Sequence, residues 1–373
     1  VYLDKITPIL ERIRAERRYR ELPERQLPPD IIDFSSNDYL AMAKEPQVVE
    51  ALKHARRAGS GGARLLAGRN RELSLLEEEL AQWLGRERAL LFSSGYTAAV
   101  GSIPVLADLT DEIYSDRANH ASLIDGMRLS KKPRIIYDRA ASLPRSENRG
   151  ALVVSETLFG MDGDVLDVGA LLASLGGNDI LLLDEAHALG VAGSEGAGFA
   201  RDFADPRIVV LGTLSKSLGT LGGFVAGPSV VIELLVNRAR SFIFDTALPP
   251  ALALAARIAL HLTRQANDRR ARLSENAALL LLALDSERAQ LSARHPERAQ
   301  RVEGPIVPVI VGDEERALEL SERLWRRRMY VPAIRPPTVP EGTSRLRVSL
   351  RCDHTADQVH LLATELQRCI ATS

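Results

Sequence analysis

Lys216 is the one charged side chain between Arg207 and Glu233. It follows the apolar run "IVVLGT", and its near neighbours are Gly, Ser, Thr and Leu. A buried ammonium without a charged partner is costly, so the group tends to give up its proton. A neutral lysine amine is a nucleophile at ordinary pH. Six of the 48 basic side chains are lysines, and Lys216 alone lies beyond residue 132. Arginine can stand in for lysine as a solubilising charge, but it cannot do amine chemistry. Three other stretches carry chemistry. "DILLL" leads into Asp184-Glu185-Ala186-His187, "ALLF" into Ser93-Ser94-Gly95-Tyr96-Thr97, and "YSDRANHAS" holds His120. Singly, each has a plainer reading: an acidic helix start, a serine-capped helix, a structural histidine. No second histidine stands near His187 to complete a ligand set, so no metal is expected.

Taken together, these residues match what pyridoxal 5'-phosphate requires. Lys216 is an amine for its aldehyde, Asp184 a carboxylate to keep its ring nitrogen protonated, and His120 a flat ring. The small residues 93–97 open a helix whose N–H groups suit a phosphate.

The surrounding pattern explains how such residues would meet. Short β-rich runs at 89–93, 112–116, 134–138, 151–156, 179–185 and 207–213 alternate with helical or turn segments. Continuous apolar strands suit a mostly parallel sheet buried on both faces. Ligands gather at the carboxyl ends of such strands. Residues 222–227 add an antiparallel strand, and the 32 residues from Asp184 to Lys216 fit one strand–helix–strand excursion. Helices are expected over 1–22, 46–58, 71–84, 250–290, 314–328 and 355–370, with strands at 305–312 and 344–351. In the last strand Leu346, Val348 and Leu350 share one face, and Arg345, Arg347, Ser349 and Arg351 share the other. The expected organisation is α/β: an N-terminal helix and arm over 1–45, a large domain over 46–240, and a smaller α+β domain over 241–373.

Bulk properties narrow the class. The 373 residues carry a formal net charge of −1, with 45% hydrophobic and 26% charged residues, as in an ordinary soluble protein. The arginines at 12, 14, 17, 18 and 20 are interrupted by Glu11, Glu16, Glu21 and Glu24, so no nucleic-acid partner is expected. No GxGxxG joins a strand to a helix, which argues against a nicotinamide enzyme. No long apolar run suggests a membrane span, and the amphipathic start lacks the apolar core of a signal peptide. Cys352 and Cys369 have no metal or redox spacing and read as reduced thiols of a cytoplasmic protein. The chain opens on Val1 rather than Met, which suggests a processed or trimmed start.

The ordered set of motifs resembles the α-oxoamine synthases, pyridoxal-phosphate enzymes of fold type I. It comprises "FSSNDYL" (34–40), "GSGGARLLAG" (59–68), "LFSSGYTA" (91–98), "NHAS" (119–122), "MDGD" (161–164), "LDEAH" (183–187), "GTLSKSLG" (212–219), "ARSFIFDTALPP" (239–250) and "IRPPTVPEGTSRLRVSL" (334–350). The resemblance implies a seven-stranded sheet and a homodimer with its active site at the subunit interface. It implies that Lys216 holds the cofactor and moves protons at the substrate α-carbon, that Asp184 pairs with the pyridinium nitrogen, that His187 bonds the phenolic oxygen, and that His120 stacks on the ring. Gly95, Tyr96 and Thr213 would bind the phosphate, with Thr246 reaching it from the partner subunit. Arg347 would grip the amino acid carboxylate, and Arg20, Asn37, Thr338 and His120 would contact substrate. "IRPPTVP" points to members that condense L-alanine with a pimeloyl thioester, pimeloyl-CoA or pimeloyl carrier protein, in biotin biosynthesis. Sister enzymes that use glycine share the core residues. The sequence departs from the family pattern at Ala41, where the family often has Gly, at Leu73, where many members have His, and at Gly160, where some members have Ser.

Overall fold

The computed structural model describes residues 2–16, 18–22, 27–54, 56–138, 143, 149–284 and 304–371. The chain forms two compact units, one of residues 37–160 and 164–273, the other of residues 1–36, 161–163 and 274–373.

The larger unit is built on a seven-stranded sheet. Its strands are β2 (Arg88–Phe92), β3 (Glu112–Asp116), β4 (Arg134–Tyr137), β5 (Ala151–Glu156), β6 (Ile180–Asp184), β7 (Ile208–Thr213) and β8 (Gly223–Gly227), in the order β2-β8-β7-β6-β5-β3-β4. β8 runs antiparallel to both neighbours, and the other pairings are parallel. Alternate side chains feed two apolar clusters. Leu181, Leu183, Ile208 and Val210 enter one with helices α3 (Arg71–Leu84) and α9 (Pro250–Gln265). Leu182, Val209 and Leu211 enter the other with α4 (Gly95–Ala107) and α5 (Ala121–Leu129). Burial on both faces is why these strands read as unbroken apolar runs.

The structure differs locally from the sequence reading at four places. The link from β6 to β7 contains no α-helix, only 3-10 turns at Ser194–Gly196 and Ala200–Asp202. Buried Glu185 ties this link down, accepting from the N–H groups of Phe199 and Ala200 and from Thr157 Oγ1. Gly193 and Gly198, at φ +73° and +83°, make its reversals. Helical structure near the N-terminus is confined to a 3-10 turn at Tyr2–Lys5 and α1 (Ile6–Ala15), none of whose side chains is buried to stabilise more. Residues 241–273, expected in the smaller domain, group with the larger unit, where α9 packs on α3 and on α2 (Pro46–Lys53). The expected helix over 250–290 breaks at Ala266 before α10 (Asn267–Ala283). Its last part, 285–290, lies outside the described residues.

In the smaller unit β1 (Ile32–Asp33) pairs with β10 (Met329–Tyr330). A second sheet has the order β11 (Ala333–Ile334), β12 (Ser344–Ser349), β9 (Ile306–Gly312), all antiparallel. α11 (Glu314–Arg326) and α12 (Ala356–Ala371) complete it. Asp313 caps α11 by accepting from the Arg316 N–H. Among the described residues no helix is long and apolar enough to cross a membrane.

Candidate active site

Five parallel or edge strands deliver the sequence candidates to one end of the large sheet. Phe92 ends β2, Asp116 ends β3, Glu156 ends β5, Asp184 ends β6 and Thr213 ends β7. Asp184 is buried, and its Oδ1 accepts from the Ala186 N–H at 2.8 Å. Burial pushes its pKa up, opposed by Lys216, Ala186 and His120. Lys216 is half-buried in the turn after β7. His120 starts α5, with Nδ1 2.8 Å from Ser122 Oγ and accepting from the Ser122 N–H at 3.2 Å. The residue is exposed. Even so, burial lowers its pKa; Asp184 raises it and Lys216 lowers it. The imidazole is therefore neutral at pH 7. Asn119, beneath it, donates from Nδ2 to Ser115 Oγ and to the Val154 carbonyl, pinning the "NHAS" turn to β3 and β5.

The anion cradle is the start of α4. Ser94 caps the helix: its Oγ accepts from the Thr97 N–H, and Thr97 Oγ1 accepts from the Ser94 N–H. That capping box uses the N–H of the third helical residue, Thr97, and leaves the Gly95 and Tyr96 N–H groups, which no helical carbonyl can accept, to a ligand. A β-carbon on Gly95 would lie 3.5 Å from Thr213 Oγ1, so the cradle and Thr213 adjoin. Thr213 Oγ1 also holds Ser215 Oγ at 2.8 Å and donates to the Gly222 carbonyl at 2.9 Å. Tyr96 is exposed, its hydroxyl donating to Asp125 Oδ2 at 2.7 Å. Thr246 is exposed too. It pairs with Ala63 of the glycine-rich loop and follows Asp245, which accepts from Ser93 Oγ at 2.5 Å.

His187 is buried and bonded through Nδ1 to the Tyr39 hydroxyl at 2.6 Å, and Tyr39 in turn reaches Asn37 Oδ1 at 3.2 Å. The residues expected to meet substrate from the smaller unit occupy two places. Arg347 is buried in β12, with Nη1 2.7 Å from Ser349 Oγ. The plain alternative for its strand face, solvation, fails: Arg345 and Ser349 are buried as well, and Arg345 bonds Asp162 and the Met161 carbonyl. Arg20 is exposed and lies close enough to Arg335 to depress the latter's pKa, behind the larger effect of burial. Thr338 is exposed, its N–H donating to the Arg335 carbonyl.

Glu156, Tyr39 and Arg335 are functional candidates that the sequence reading passed over. Glu156 stands opposite Asp184 in the β5–β6 register and is buried, accepting from the Gly160 N–H at 3.2 Å and from the His120 N–H. Burial, then Asp184, push its pKa up to about 8, with Lys216 opposing. The only signal in the sequence was a carboxylate ending an apolar run.

A lysine flanked by buried carboxylates, a neutral imidazole and an adjoining anion cradle fit pyridoxal phosphate. The comparisons agree. The family model for aminotransferase class I and II matches residues 29–366. An 8-amino-7-oxononanoate synthase of Acidithiobacillus ferrooxidans is 40% identical, with 97% of both chains covered. The chain belongs to the 8-amino-7-oxononanoate synthase family. A solved member of that family, from Francisella tularensis, superposes with a TM-score of 0.76 at 27% identity, over 92% of this chain and 99% of its own. A serine palmitoyltransferase of S. paucimobilis, solved with PLP and myriocin bound, gives 0.86 at 25% identity, over 99% and 97%. The cofactor of this family member is pyridoxal phosphate.

Proposed function

We propose that the protein condenses L-alanine with a pimeloyl thioester, releasing carbon dioxide, free thiol and 8-amino-7-oxononanoate, a step of biotin biosynthesis. The observation that carries this is the position of Lys216 beside Asp184, Glu156 and His120, in a chain akin to named synthases over its whole length. The cofactor, when bound, supplies an aldehyde that takes up the amino group and a ring that accepts the electron pair left on the α-carbon.

Lys216 removes the proton from the α-carbon of alanine and later returns one. Asp184 holds a proton on the ring nitrogen, which keeps the ring electron-accepting. The Gly95 and Tyr96 N–H groups and Thr213 bind the phosphate, and His187 donates toward the phenolic oxygen. Neutral His120 covers the ring face and polarises the thioester carbonyl. Arg347 binds the alanine carboxylate through its planar fork. Arg20 and Arg335, whose charges influence each other, suit the distal carboxylate of the pimeloyl chain, with Asn37 and Thr338 as further contacts. Thr246 reaches the phosphate of the partner subunit's site, so the working unit is a homodimer in the cytoplasm.

Lys216→Ala tests the reading. The wild type should show a visible cofactor band that shifts with alanine, and carbon dioxide release when a pimeloyl thioester follows. The variant should do neither. A variant turning over near the wild-type rate would sink the proposal. A wild-type preference for glycine would transfer it to the sister reaction. Running pimeloyl-CoA beside pimeloyl carrier protein identifies the acyl donor.

A further inference from the structure

The segment that begins with the short helix Arg240–Ile243 is tied to the anion cradle at two points. Ser241 Oγ donates to the Thr97 carbonyl at 2.5 Å, and Asp245 Oδ2 accepts from Ser93 Oγ at 2.5 Å. The helix packs so closely on α4 that a β-carbon on Gly101 would lie 2.1 Å from Ser241 Oγ. A hydroxyl bonded to a carboxylate at such a length is a charge-assisted hydrogen bond, about twice as strong as a neutral one. The other carboxylate oxygen, Oδ1, accepts from the Thr246 N–H at 2.8 Å. Asp245 therefore joins Ser93, the residue before the cap of α4, to Thr246.

The glycine-rich loop holds the same segment from another side. Thr246 bridges to Ala63, the Ala247 N–H donates to the Gly62 carbonyl at 3.0 Å, and Ser60 Oγ donates to the Leu248 carbonyl at 2.7 Å. These contacts fix the backbone from 245 to 248, yet Thr246 itself is exposed. A carboxylate beside an anion cradle repels the anion that the cradle admits. Its place there calls for a compensating task. Its two hydrogen bonds give one, which is to hold an exposed threonine in a set position.

We propose that Asp245 is a positioning residue for the partner subunit's site. Anchored on Ser93 of its own cradle, it sets Thr246 for the phosphate that the partner subunit holds. The inference rests on the reading of Thr246 given above. It makes the carboxylate act in trans. Loss of Asp245 weakens cofactor binding in the other subunit, while the cradle of its own subunit loses a repelling charge.

The test uses hybrid dimers purified by two different tags. One subunit carries Lys216→Ala, so a single site can give the visible band of cofactor bound to Lys216. In the trans dimer the Lys216→Ala subunit also carries Asp245→Ala, and the reporting site takes its Thr246 from that altered subunit. In the cis dimer Asp245→Ala lies in the reporting subunit instead. Cofactor is removed and pyridoxal phosphate titrated back to give its Kd, with thermal melting as a check on folding. Loss of one hydrogen bond to a charged group corresponds to roughly ten- to hundredfold weaker binding. Thr246→Ala placed in trans should show that loss. Asp245→Ala in trans should weaken binding by at least about fivefold and by no more than Thr246→Ala does. In the cis dimer the Kd should hold or fall, because a repelling charge is gone. Ser93→Ala in trans should also weaken binding, and should add nothing once Asp245 is replaced; it carries the test if Asp245→Ala does not fold. An unchanged Kd in the trans dimer, a weakening confined to the cis dimer, or additive effects of Ser93→Ala and Asp245→Ala would each overturn the proposal while leaving the reading of Thr246 in place. No effect of Thr246→Ala in trans would overturn both. A wrong reading of the reaction would show instead in the wild type, as a band that does not respond to alanine.

Discussion

Glu156→Gln should make the apoprotein less sensitive to alkaline pH and more stable above neutrality. Glu156 and Asp184 end neighbouring strands at paired positions, both buried. Placing two carboxylates there raises the pKa of Glu156 from 4.5 to about 8, by burial first and Asp184 second. The sign follows from proton counting. Below pH 4.5 the group is protonated in both folded and unfolded chains and costs nothing. Between 4.5 and about 8 the folded chain keeps a proton that the unfolded chain has released, so stability falls as pH rises. The slope is about 1.4 kcal/mol per pH unit for one proton. From pH 5 to pH 8 the sum is about 3 to 4 kcal/mol, less whatever share of the titration Asp184 takes as its coupled partner.

Glutamine has the shape of the neutral acid and still offers an oxygen to the Gly160 N–H. It titrates nowhere in this range. Urea unfolding of both apoproteins, at one protomer concentration across pH 5 to 8, isolates the effect, because every other titrating group is common to the two. The charged groups facing Glu156 are Asp184 and Lys216, with His120 close by and contributing its backbone N–H. The wild type should lose stability faster than Glu156→Gln by at least about 1 kcal/mol over the range, allowing for a shared titration. Parallel curves would refute the argument, since they would mean that Glu156 is ionised in the folded chain across this range, as it is in the unfolded one.

Four further outcomes can be checked. Ala41 sits at φ +55°, a backbone region that favours glycine, so Ala41→Gly should raise stability, with relief of about 1 to 2 kcal/mol from the left-handed backbone partly offset by the flexibility of the unfolded glycine. Arg345→Ala strands Asp162, its mostly buried ion-pair partner, and should cost about 3 to 5 kcal/mol in urea unfolding, while Arg345→Met with Asp162→Asn should recover much of it. Arg347→Ala should raise the KM for alanine roughly ten- to hundredfold, the weight of a lost charged hydrogen bond, with a smaller change in kcat. Pyridoxal phosphate at 100 times its Kd should stabilise the apoprotein by about 2.7 kcal/mol, and Lys216→Ala should need more cofactor for the same gain.

The sheet was legible because its code is local. β5, β6 and β7 are apolar on both faces, so each announces itself in five or six residues. Strand ends then predict where Asp184, Thr213 and Lys216 go, because a parallel sheet presents its carboxyl ends together. The link between β6 and β7 was misjudged because a buried carboxylate, Glu185, replaces helical hydrogen bonds as its organiser, and nothing in the spacing of residues 186–206 reports that. The β12 arginines show the limit of a local code. Alternation of Leu and Arg normally marks a face in water, yet β12 is the middle strand of its sheet and carries those arginines buried.

The site divides along the same line. Lys216 could be found alone, since its signal is a lack of charged neighbours in sequence. Glu156 could not, because what alters it is a register partner 28 positions away, and an isolated carboxylate after an apolar run has many innocent explanations. Tyr39 is further out of reach: the histidine its hydroxyl meets is 148 residues distant. Gly160 shows why a departure from a family pattern cannot be priced from sequence. Counted as a missing hydroxyl it is a loss. In place, it is the space beside the tip of His187, where a β-carbon on residue 160 would lie 2.4 Å from Nε2.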